Sequence, residues 1–252
     1  MPHRKILVTG SSRGIGRAVA DAFARAGDAV AIHHRDSAEL AGQVRASLPG
    51  TGHVVVQADI ADPEAVRTMV DDAAARLGGL DVLVNNAASY GRAGHPVAEV
   101  SYEDWQQVWQ DTIGLNLIGA ANVTWCAVQH MVAAGGGTIV NVSSRGAFRG
   151  EPGQPAYGAS KAGLNALGQS LAVALAPHNI VVSAVAPGFV QPDMAAAHLQ
   201  GASGDAIRAQ SPFGRVAEPT EIAAAVVYLA SPEARWASGA ILDLNGASYL
   251  RT

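Results

Sequence analysis

The amino-acid sequence predicts an α/β fold in which a parallel sheet is covered by helices on both faces. Short runs rich in β-branched residues alternate along the chain with longer segments of helical period, as repeated βαβ units require. A glycine-rich turn joins the first of these runs to the first helical segment. The 252 residues are 49% hydrophobic, which is enough for the core of one large domain. We therefore expect residues 1–252 to form one doubly wound domain of the Rossmann type.

The individual elements follow from hydrophobic period and from helix start and stop signals. Seven strands are predicted, at Lys5–Thr9, Ala29–His33, His53–Ala58, Asp81–Asn85, Thr138–Val142, Ile180–Ala186 and Ala240–Leu244. Helices are predicted at 15–26, Ala38–Leu48, Pro63–Leu77, Tyr102–Ala134, Ala159–Ala176 and Pro219–Leu229. Prolines and glycines break any long element in 189–216, which predicts a flap; the alternative is a surface loop with a short helix.

Charge and cysteine content narrow the classes of partner. The formal charge is -4 at pH 7 and the pI is about 6.0, without a basic block, so we expect neither nucleic-acid nor membrane-surface binding. No apolar run reaches the roughly 18 to 20 residues that span a bilayer, and the first residues lack the apolar core of a signal peptide. Cys126 is the only cysteine, which excludes an intrachain disulfide and a cysteine metal cluster. These observations predict a cytoplasmic protein with a small-molecule partner and no metal.

The segment from Thr9 to Gly16 reads T-G-S-S-R-G-I-G and connects the first strand to the first helix. Glycines let a backbone turn tightly and approach a ligand, while a helix N-terminus offers unpaired N–H groups to a pyrophosphate. The predicted contacts come from this turn, at Gly10, Ser12, Arg13, Gly14, Ile15 and Gly16. The alternative is a turn that is merely structural.

The T-G-x-x-x-G-x-G form resembles the glycine motif of the short-chain dehydrogenase/reductase family, in its single-domain branch. Other family motifs follow in the same order and spacing, namely Asp59-Ile60, Asn85-Asn86-Ala87-Ala88, Asn116, Ser143-Ser144, Tyr157-Gly158-Ala159-Ser160-Lys161 and Pro187-Gly188. They extend from residue 5 to about residue 246. The resemblance implies an oxidoreductase that is similar to 3-oxoacyl reductases and moves a hydride between a nicotinamide and a carbonyl or alcohol.

Tyr157 and Lys161 are four residues apart on a predicted helix, so their side chains lie on one face. An ammonium beside a phenol favours the phenolate, and we expect it to lower the Tyr157 pKa toward neutrality, as a group that transfers protons near pH 7 requires. Lys161 is one of only two lysines among the 17 lysines and arginines. A compact ammonium is evidently required at this position. Tyr157 is therefore the predicted general acid or base, and both residues are expected to contact the cofactor.

Two further catalytic residues are implied by the resemblance. Ser144, at the end of a predicted strand, would hydrogen-bond the carbonyl oxygen of the substrate; Ser143 is the rival, and the family's serine-to-tyrosine spacing favours Ser144. Asn116 would hold a water that links Lys161 to solvent. From the residues alone, a buried helical asparagine is more often a satisfied core amide.

Cofactor preference depends on the end of the second strand. NAD-selective family members carry an acidic residue there, which would repel a 2′-phosphate. This chain has His34 followed by Arg35, and Arg13 points to the same region, so two guanidiniums can bind the phosphate. NADP(H) is the prediction; NAD stays possible because Asp36 would present a carboxylate after a small backbone shift.

The resemblance supplies the other cofactor contacts. Asp59 and Ile60 would flank the adenine, Asn86 and Ala87 would lie along its ribose, and the nicotinamide would meet Pro187, Gly188 and backbone groups near Val190. The chain departs from the family at Ala88, at Asn245 and at Pro192, where a threonine usually binds the nicotinamide amide. Proline has neither a hydroxyl nor an N–H, which is why Val190 is expected to make that contact.

The substrate is less constrained. An acyl carrier protein is acidic and needs a basic surface, yet no Lys or Arg occurs in 117–144 or in 162–207, so a small carbonyl or alcohol is favoured over a 3-oxoacyl carrier substrate. Arg145, Arg149, Glu151, Tyr90 and Arg92 are candidates for the pocket mouth, where arginines would attract an anionic substrate. Solvated loop charges are the favoured alternative.

The predicted helices Thr112–Ala134 and Ala159–Ala176 are almost free of charge, which suits burial against a second copy. By resemblance this surface makes dimers or tetramers; the alternative is burial within the subunit. Two other classes of function stay open. A regulator that senses the cofactor would not need Tyr157 and Lys161, and an epimerase or dehydratase would need a second acid or base, for which Glu151 is the candidate.

Overall fold

A computed structural model describes residues 3–91, 94–191 and 201–251, and these form a seven-stranded sheet with the order β3-β2-β1-β4-β5-β6-β7. All neighbouring strands pair in parallel. The strands are β1 Lys5–Val8, β2 Ala29–His34, β3 Val54–Gln57, β4 Val82–Asn85, β5 Gly137–Val142, β6 Ile180–Pro187 and β7 Ile241–Leu244. The strand order reverses between β1 and β4, where doubly wound sheets bind their ligands.

Within the described ranges, the helices are α1 Gly14–Arg25, α2 Ala38–Ser47, α3 Pro63–Leu77, α4 Tyr102–Ile113, α5 Ala120–Ala133, α6 Gly146–Arg149, α7 Pro155–Leu175, α8 Gly201–Arg208 and α9 Pro219–Leu229. A π-helical segment, Gly114–Gly119, joins α4 to α5. Two 3₁₀ turns occupy Ala176–His178 and Pro232–Ala237.

The helices cover both faces of the sheet, which confirms the predicted fold class. On one face Phe23, Ile32 and Val226 belong to a core that includes α1, α2 and α9. On the other face Leu83 and Ile139 belong to a core that includes α3, α5 and the end of α7. Strands β1, β4 and β5 contribute alternate side chains to both cores, so the sheet centre is buried on both sides.

Two predicted helices differ from the structure, and one short helix was not predicted. The catalytic-motif helix begins at Pro155 rather than Ala159, because proline suits the first turn of a helix. The predicted helix Tyr102–Ala134 is interrupted by the π segment, where a Cβ on Gly119 would stand 2.6 Å from the Ile60 carbonyl oxygen. The short helix α6 was not predicted.

The predicted flap is described only in part. Helix α8 occupies 201–208, and Val190 forms an isolated bridge with Ala217. Pro192 and the rest of 192–200 lie outside the described residues. No helix in the described ranges combines the length and the apolar character needed to cross a bilayer.

Candidate active site

Two adjoining cavities open at the carboxyl edge of the sheet. The turn cavity, of about 430 Å³, lies beside the glycine-rich turn and the end of β2. The tyrosine cavity, of about 330 Å³, surrounds Tyr157. Ile15, Asn86 and Ala88 line both. An elongated ligand can therefore extend from one cavity into the other.

The backbone of the turn requires glycine at three positions. Gly10 and Gly14 have φ values of +64° and +58°, which side chains rarely adopt. At Gly16 there is no room for a side chain, since a Cβ there would stand 2.4 Å from the Gly10 carbonyl oxygen and 2.5 Å from Asn86 Nδ2. The glycine spacing thus has a packing cause, beside any ligand contact.

Hydrogen bonds from β4 fix the turn. The Thr9 hydroxyl oxygen accepts the backbone N–H groups of Asn86, at 2.9 Å, and Ala87, at 3.0 Å. In return Asn86 Nδ2 donates to the carbonyl oxygens of Thr9, at 2.8 Å, and Gly10, at 3.1 Å. The Asn86 amide therefore braces the turn from the neighbouring strand.

His33 holds the turn from β2, and sequence reasoning missed it. The Gly10 N–H donates to His33 Nδ1 at 2.9 Å, so the proton must reside on Nε2, which donates to the Ala58 carbonyl at 3.1 Å. Burial lowers the pKa of His33 to about 4. The backbone N–H of His33 also donates to Ser11 Oγ, at 2.9 Å. A histidine in an otherwise apolar buried strand was the available signal.

The far end of the turn cavity carries the residues expected to select the cofactor. His34 is 4% exposed, and its Nδ1 has no hydrogen-bond partner in the described part of the chain. Arg35 Nε donates to Asp36 Oδ2 at 2.6 Å, and Arg13 lies exposed across the cavity. An unpaired ring nitrogen and two guanidiniums fit an anionic phosphate ester. Asp36, which would favour NAD, is neutralised in part by Arg35.

Asp59 and Ile60 lie in the same cavity, after β3. Asp59 Oδ1 accepts the Ala61 N–H at 2.9 Å, while Ile60 is buried. The cavity therefore offers an apolar wall beside a fixed carboxylate, as the resemblance implied for an adenine.

Tyr157 lies on α7 and faces the end of β5. Its hydroxyl lies close enough to the Ser144 side chain for Ser144 to lower its pKa, and Ser144 Oγ accepts the Gly146 N–H at 3.0 Å. The Ser143 hydroxyl instead donates to the Lys161 carbonyl at 3.4 Å. The structure thus places Ser144, rather than its rival Ser143, against the tyrosine.

Lys161 is on the same side of α7 as Tyr157, as the four-residue spacing predicts. Its Nζ lies 5.9 Å from the centre of the tyrosine ring and donates to the Val142 carbonyl at 2.8 Å. The side chain is 3% exposed, and burial lowers its pKa to about 8. The ammonium is thereby held between β5 and the tyrosine.

The prediction that Lys161 lowers the pKa of Tyr157 toward neutrality is wrong for the protein groups by themselves. Burial raises the pKa of Tyr157 to about 12, and the hydrogen bond from Ser144, which lowers it, does not compensate. Glu151 and Tyr90 add to the increase through their charges. Tyr157 is therefore set as a proton donor, because desolvation of the phenolate outweighs the ammonium 5.9 Å from its ring.

Asn116 lies in the π segment, next to α7. Its Oδ1 accepts the Ser89 N–H at 2.8 Å, and its Nδ2 donates to the Ser89 carbonyl at 2.8 Å and to Ser160 Oγ at 3.1 Å. These bonds tie the loop after β4 to the helix of Tyr157. They agree with the alternative of a satisfied buried amide.

Residues after β6 close the other wall of the tyrosine cavity. The Pro187 carbonyl accepts the Arg145 N–H at 2.9 Å, and a Cβ on Gly188 would stand 3.0 Å from Asn245 Cα. On either side of Val190, the Phe189 carbonyl and the Gln191 N–H bond to Ala217. In a parallel bridge the residue between them directs its own N–H and carbonyl to the opposite side.

Charged residues of the pocket mouth occupy unequal positions. Tyr90 meets the Tyr157 ring edge-on at 4.7 Å and donates to Glu151 Oε2 at 3.3 Å. Arg149 Nε is 3.6 Å from Glu151 Oε1. Arg145 is 3% exposed, so the interpretation of a solvated loop charge is wrong for it. Arg92 lies outside the described residues.

A metal centre has no visible basis in the described residues. No group of three or more His, Cys, Asp or Glu side chains among them is arranged to hold an ion.

The sequence matches a family model described as enoyl-(acyl carrier protein) reductase over residues 10–246. The chain belongs to the short-chain dehydrogenase/reductase family, and it is an oxidoreductase of that family.

The relatives differ in the substrates that their names state. A 3-oxoacyl-[acyl-carrier-protein] reductase FabG of Staphylococcus aureus is 37% identical over 249 residues, 98% of either chain. A cis-4-hydroxycyclohexanecarboxylate dehydrogenase of Sinomonas cyclohexanicum is 40% identical over 245 residues, which are 96% of this chain and 95% of the relative. The crystal structure of a short chain dehydrogenase from Burkholderia cenocepacia, in complex with NADP, is 34% identical, covers 97% of each chain and has a TM-score of 0.85.

Proposed function

We propose that the enzyme prefers NADP(H) and transfers a hydride between the nicotinamide and a small-molecule carbonyl or secondary alcohol, with Tyr157 as the general acid or base. One observation carries this proposal. The neighbouring side chains of Tyr157 and Ser144 line a 330 Å³ cavity that adjoins the cavity of the glycine turn. A carbonyl group in the first cavity would thus adjoin a dinucleotide in the second.

The residues of the two cavities fit an NADP(H) cofactor. The Burkholderia relative was crystallised in complex with NADP, which supports the same cofactor for this chain. When bound, the reduced nicotinamide supplies the hydride. The pyrophosphate would lie on Gly10, Ser12, Arg13, Gly14, Ile15 and Gly16, and the 2′-phosphate beside His34 and Arg35. Asp59, Ile60, Asn86 and Ala87 would hold the adenosine, and Tyr157, Lys161, Pro187, Gly188 and Val190 the nicotinamide end. The glycine geometry and the unpaired His34 Nδ1 support this placement.

In carbonyl reduction, Ser144 and Tyr157 would donate hydrogen bonds to the carbonyl oxygen. During reduction the Tyr157 hydroxyl would give its proton to that oxygen and become a phenolate. A tyrosine whose pKa is raised to about 12 stays protonated at neutral pH. Lys161, whose Nζ lies 5.9 Å from the ring centre, then favours the phenolate electrostatically. Oxidation of an alcohol would follow the reverse order, with Asn116 as a positioning residue for α7.

A 3-oxoacyl carrier-protein reductase is the second candidate, favoured by the Staphylococcus relative. An acidic carrier protein would need basic residues near the site. Helix α5 and helix α7 after Lys161 contain none. We therefore rank a small-molecule substrate first.

We also propose that the chain forms a homo-oligomer, a dimer or a tetramer, through α5 and α7. Apolar side chains on these helices face outward: Trp125 is 58% exposed and Val173 is 79% exposed. Exposed apolar residues on helices almost free of charge are typical of a surface that pairs with a second copy. Light scattering coupled to size-exclusion chromatography tests this, and a monomer at micromolar concentration would contradict it.

The segment 189–216 is proposed to act as the substrate flap. The bridge of Val190 with Ala217 would anchor its base, and Val190 would offer its free backbone groups to the nicotinamide amide. Lids of this kind close over substrate and exclude water.

A panel of carbonyl and alcohol substrates tests the proposed function. The absorbance of the nicotinamide measures each reaction, with NADPH and NADH in parallel. We expect turnover of small ketones, faster with NADPH. A reaction faster with NADH would overturn the cofactor preference. Tight NADPH binding without turnover of any substrate would favour the alternative of a regulator.

A further inference from the structure

A third cavity, of about 230 Å³, adjoins the tyrosine cavity on the side away from the glycine turn. Its apolar wall includes Phe189 and Leu244, and its polar wall includes Gln210 and Ser248. Arg145 lines this side cavity and the tyrosine cavity alike. A substrate whose carbonyl lies at Tyr157 therefore occupies a cavity whose wall includes Arg145.

Arg145 is a buried cation without an ionic partner in the described part of the chain. It is 3% exposed, and its guanidinium donates to Ser248 Oγ and to Gln210 Oε1, both neutral groups. The face of the guanidinium lies 4.9 Å from the centre of the Phe189 ring. Of the nearby charges, Glu151 is paired with Arg149, at 3.6 Å. Burial of a charge is costly unless an opposite charge accompanies it.

The guanidinium keeps donors available for a ligand. It has five N–H donors, and its bonds within the described residues use two of them. Two residues hold the guanidinium in one orientation: Gln210, in the loop after α8, and Ser248, after β7. A planar, fixed guanidinium matches the two oxygens of a carboxylate.

We propose that Arg145 binds the carboxylate of the substrate, so that the enzyme acts on oxo acids and hydroxy acids in which a carboxylate and the reacting carbon belong to one small molecule. This inference rests on the proposed function of the tyrosine cavity and names its substrate class. A carboxylate is favoured over a phosphate because only one guanidinium in the described walls of the side and tyrosine cavities lacks a carboxylate partner: Arg215 also lines the side cavity but is paired with Glu221. Glu151, at the mouth of the tyrosine cavity, would repel a second negative charge.

The first experiment compares substrates on the unmodified enzyme. The probes are 4-oxocyclohexanecarboxylate and 4-oxopentanoate, each beside its methyl ester, with NADPH consumption as the readout. Because the ester keeps the shape and loses the charge, we expect kcat/KM to be at least about 30-fold higher for one or both acids, the size of a hydrogen bond to a charged group. Esters that react as well as both acids would overturn the proposal.

Three variants assign the preference to Arg145. Arg145→Gln is expected to lower the acid-to-ester ratio of kcat/KM at least about 30-fold, and Arg145→Lys, which keeps the charge without the planar fork, to lower it less. Arg45→Gln is the matched control, since that arginine is exposed on α2 and lines none of the three cavities, and its ratio should stay within about threefold of the unmodified enzyme. Equal ratios in Arg145→Gln and the unmodified enzyme would contradict the assignment.

Binding to the unmodified enzyme keeps the test independent of turnover and of folding of the variants. Calorimetric titration of the enzyme with NADPH present uses cyclohexanecarboxylate and its neutral amide. Tighter binding of the acid than of the amide supports the carboxylate site, whether or not a ketone reacts. Such binding without turnover of any ketone would refute the proposed function and leave the carboxylate site standing. Turnover of neutral ketones, together with equal binding of acid and amide, would refute the carboxylate site and leave the proposed function standing.

Discussion

The turn cavity and the tyrosine cavity share the same sheet edge but are constructed differently. The turn is braced by strand-end groups of β1, β2 and β4, in which Thr9, His33 and Asn86 bond to backbone atoms. The substrate side is closed by side chains from distant parts of the chain: Arg145 bonds to Gln210 and Ser248, 65 and 103 residues away. The frame is therefore held by neighbouring strand ends, whereas the substrate wall depends on contacts between distant segments and can change without altering the frame.

The largest expected effect separates chemistry from binding. Tyr157→Phe removes the proton donor and keeps the ring, so kcat for ketone reduction should fall about 1,000-fold, as loss of a general acid usually causes. NADPH binding, measured by fluorescence titration, should change little, because the turn cavity is untouched. Tyr102→Phe is the control, since that tyrosine is exposed on α4 and should keep full activity. Unchanged turnover in Tyr157→Phe would refute the mechanism.

Acid should loosen the frame of the turn cavity through His33. Its pKa is about 4 in the folded chain against an ordinary 6.5, so its contribution is complete above pH 6.5 and is lost as the pH falls toward 4. The unfolded chain takes up the proton first, which lowers the free energy of unfolding by up to about 3 kcal/mol. Urea unfolding at several pH values measures this.

The matched variants for that experiment are His33→Asn and His178→Gln. His33→Asn cannot titrate, so its stability should fall less steeply between pH 6.5 and pH 4 than that of the unmodified enzyme. His178 is exposed after α7, and its replacement should leave the slope unchanged. Identical slopes for all three proteins would show that His33 does not link the turn to pH.

A methyl group at Gly16 tests the packing of the turn directly. Gly16→Ala should lower the free energy of unfolding by about 1 to 3 kcal/mol, because the Cβ must displace the Gly10 carbonyl or the Asn86 amide. NADPH affinity should fall with it. Gly42→Ala in α2, where a Cβ meets nothing within 4 Å, should leave stability equal or slightly higher. Equal behaviour of the two variants would contradict the packing argument.

The smallest expected effect concerns cofactor choice. Arg13→Gln and Arg35→Gln should each raise the KM for NADPH about tenfold, the size of one lost charge-assisted hydrogen bond, and leave the KM for NADH nearly constant. Arg45→Gln on the exposed side of α2 serves as control. A parallel rise for both cofactors would place the arginines outside the phosphate site.

The turn cavity was largely predictable because its determinants are close in sequence or repeat in every strand. The glycine spacing and the β-branched runs each reflect local backbone geometry. The same holds in the tyrosine cavity for the four-residue spacing of Tyr157 and Lys161. The role of His33 was missed, since a strand-end histidine gives no sign of which backbone N–H it will accept.

The substrate side was less predictable for the opposite reason. The burial of Arg145 depends on Gln210 and Ser248, and no pattern near Ser144 indicates those contacts. The prediction for the pKa of Tyr157 was wrong because the sequence spacing reveals the neighbouring Lys161 but not the burial of the ring. That burial depends on every residue around the ring. The π segment at Asn116 likewise packs at Gly119 against the Ile60 backbone, a contact between distant segments that helical spacing does not reveal.

The bond between Arg145 and Ser248 also bears on handling the protein in the laboratory. Strand β7 ends at Leu244 on the ligand edge of the sheet, so the residues that follow it lie against the substrate wall. A purification tag that displaces Ser248 would therefore disturb that wall, whereas Lys5, where β1 begins, lies at the opposite edge of the sheet. Kinetic work on substrate choice is best done with the tag at the amino end.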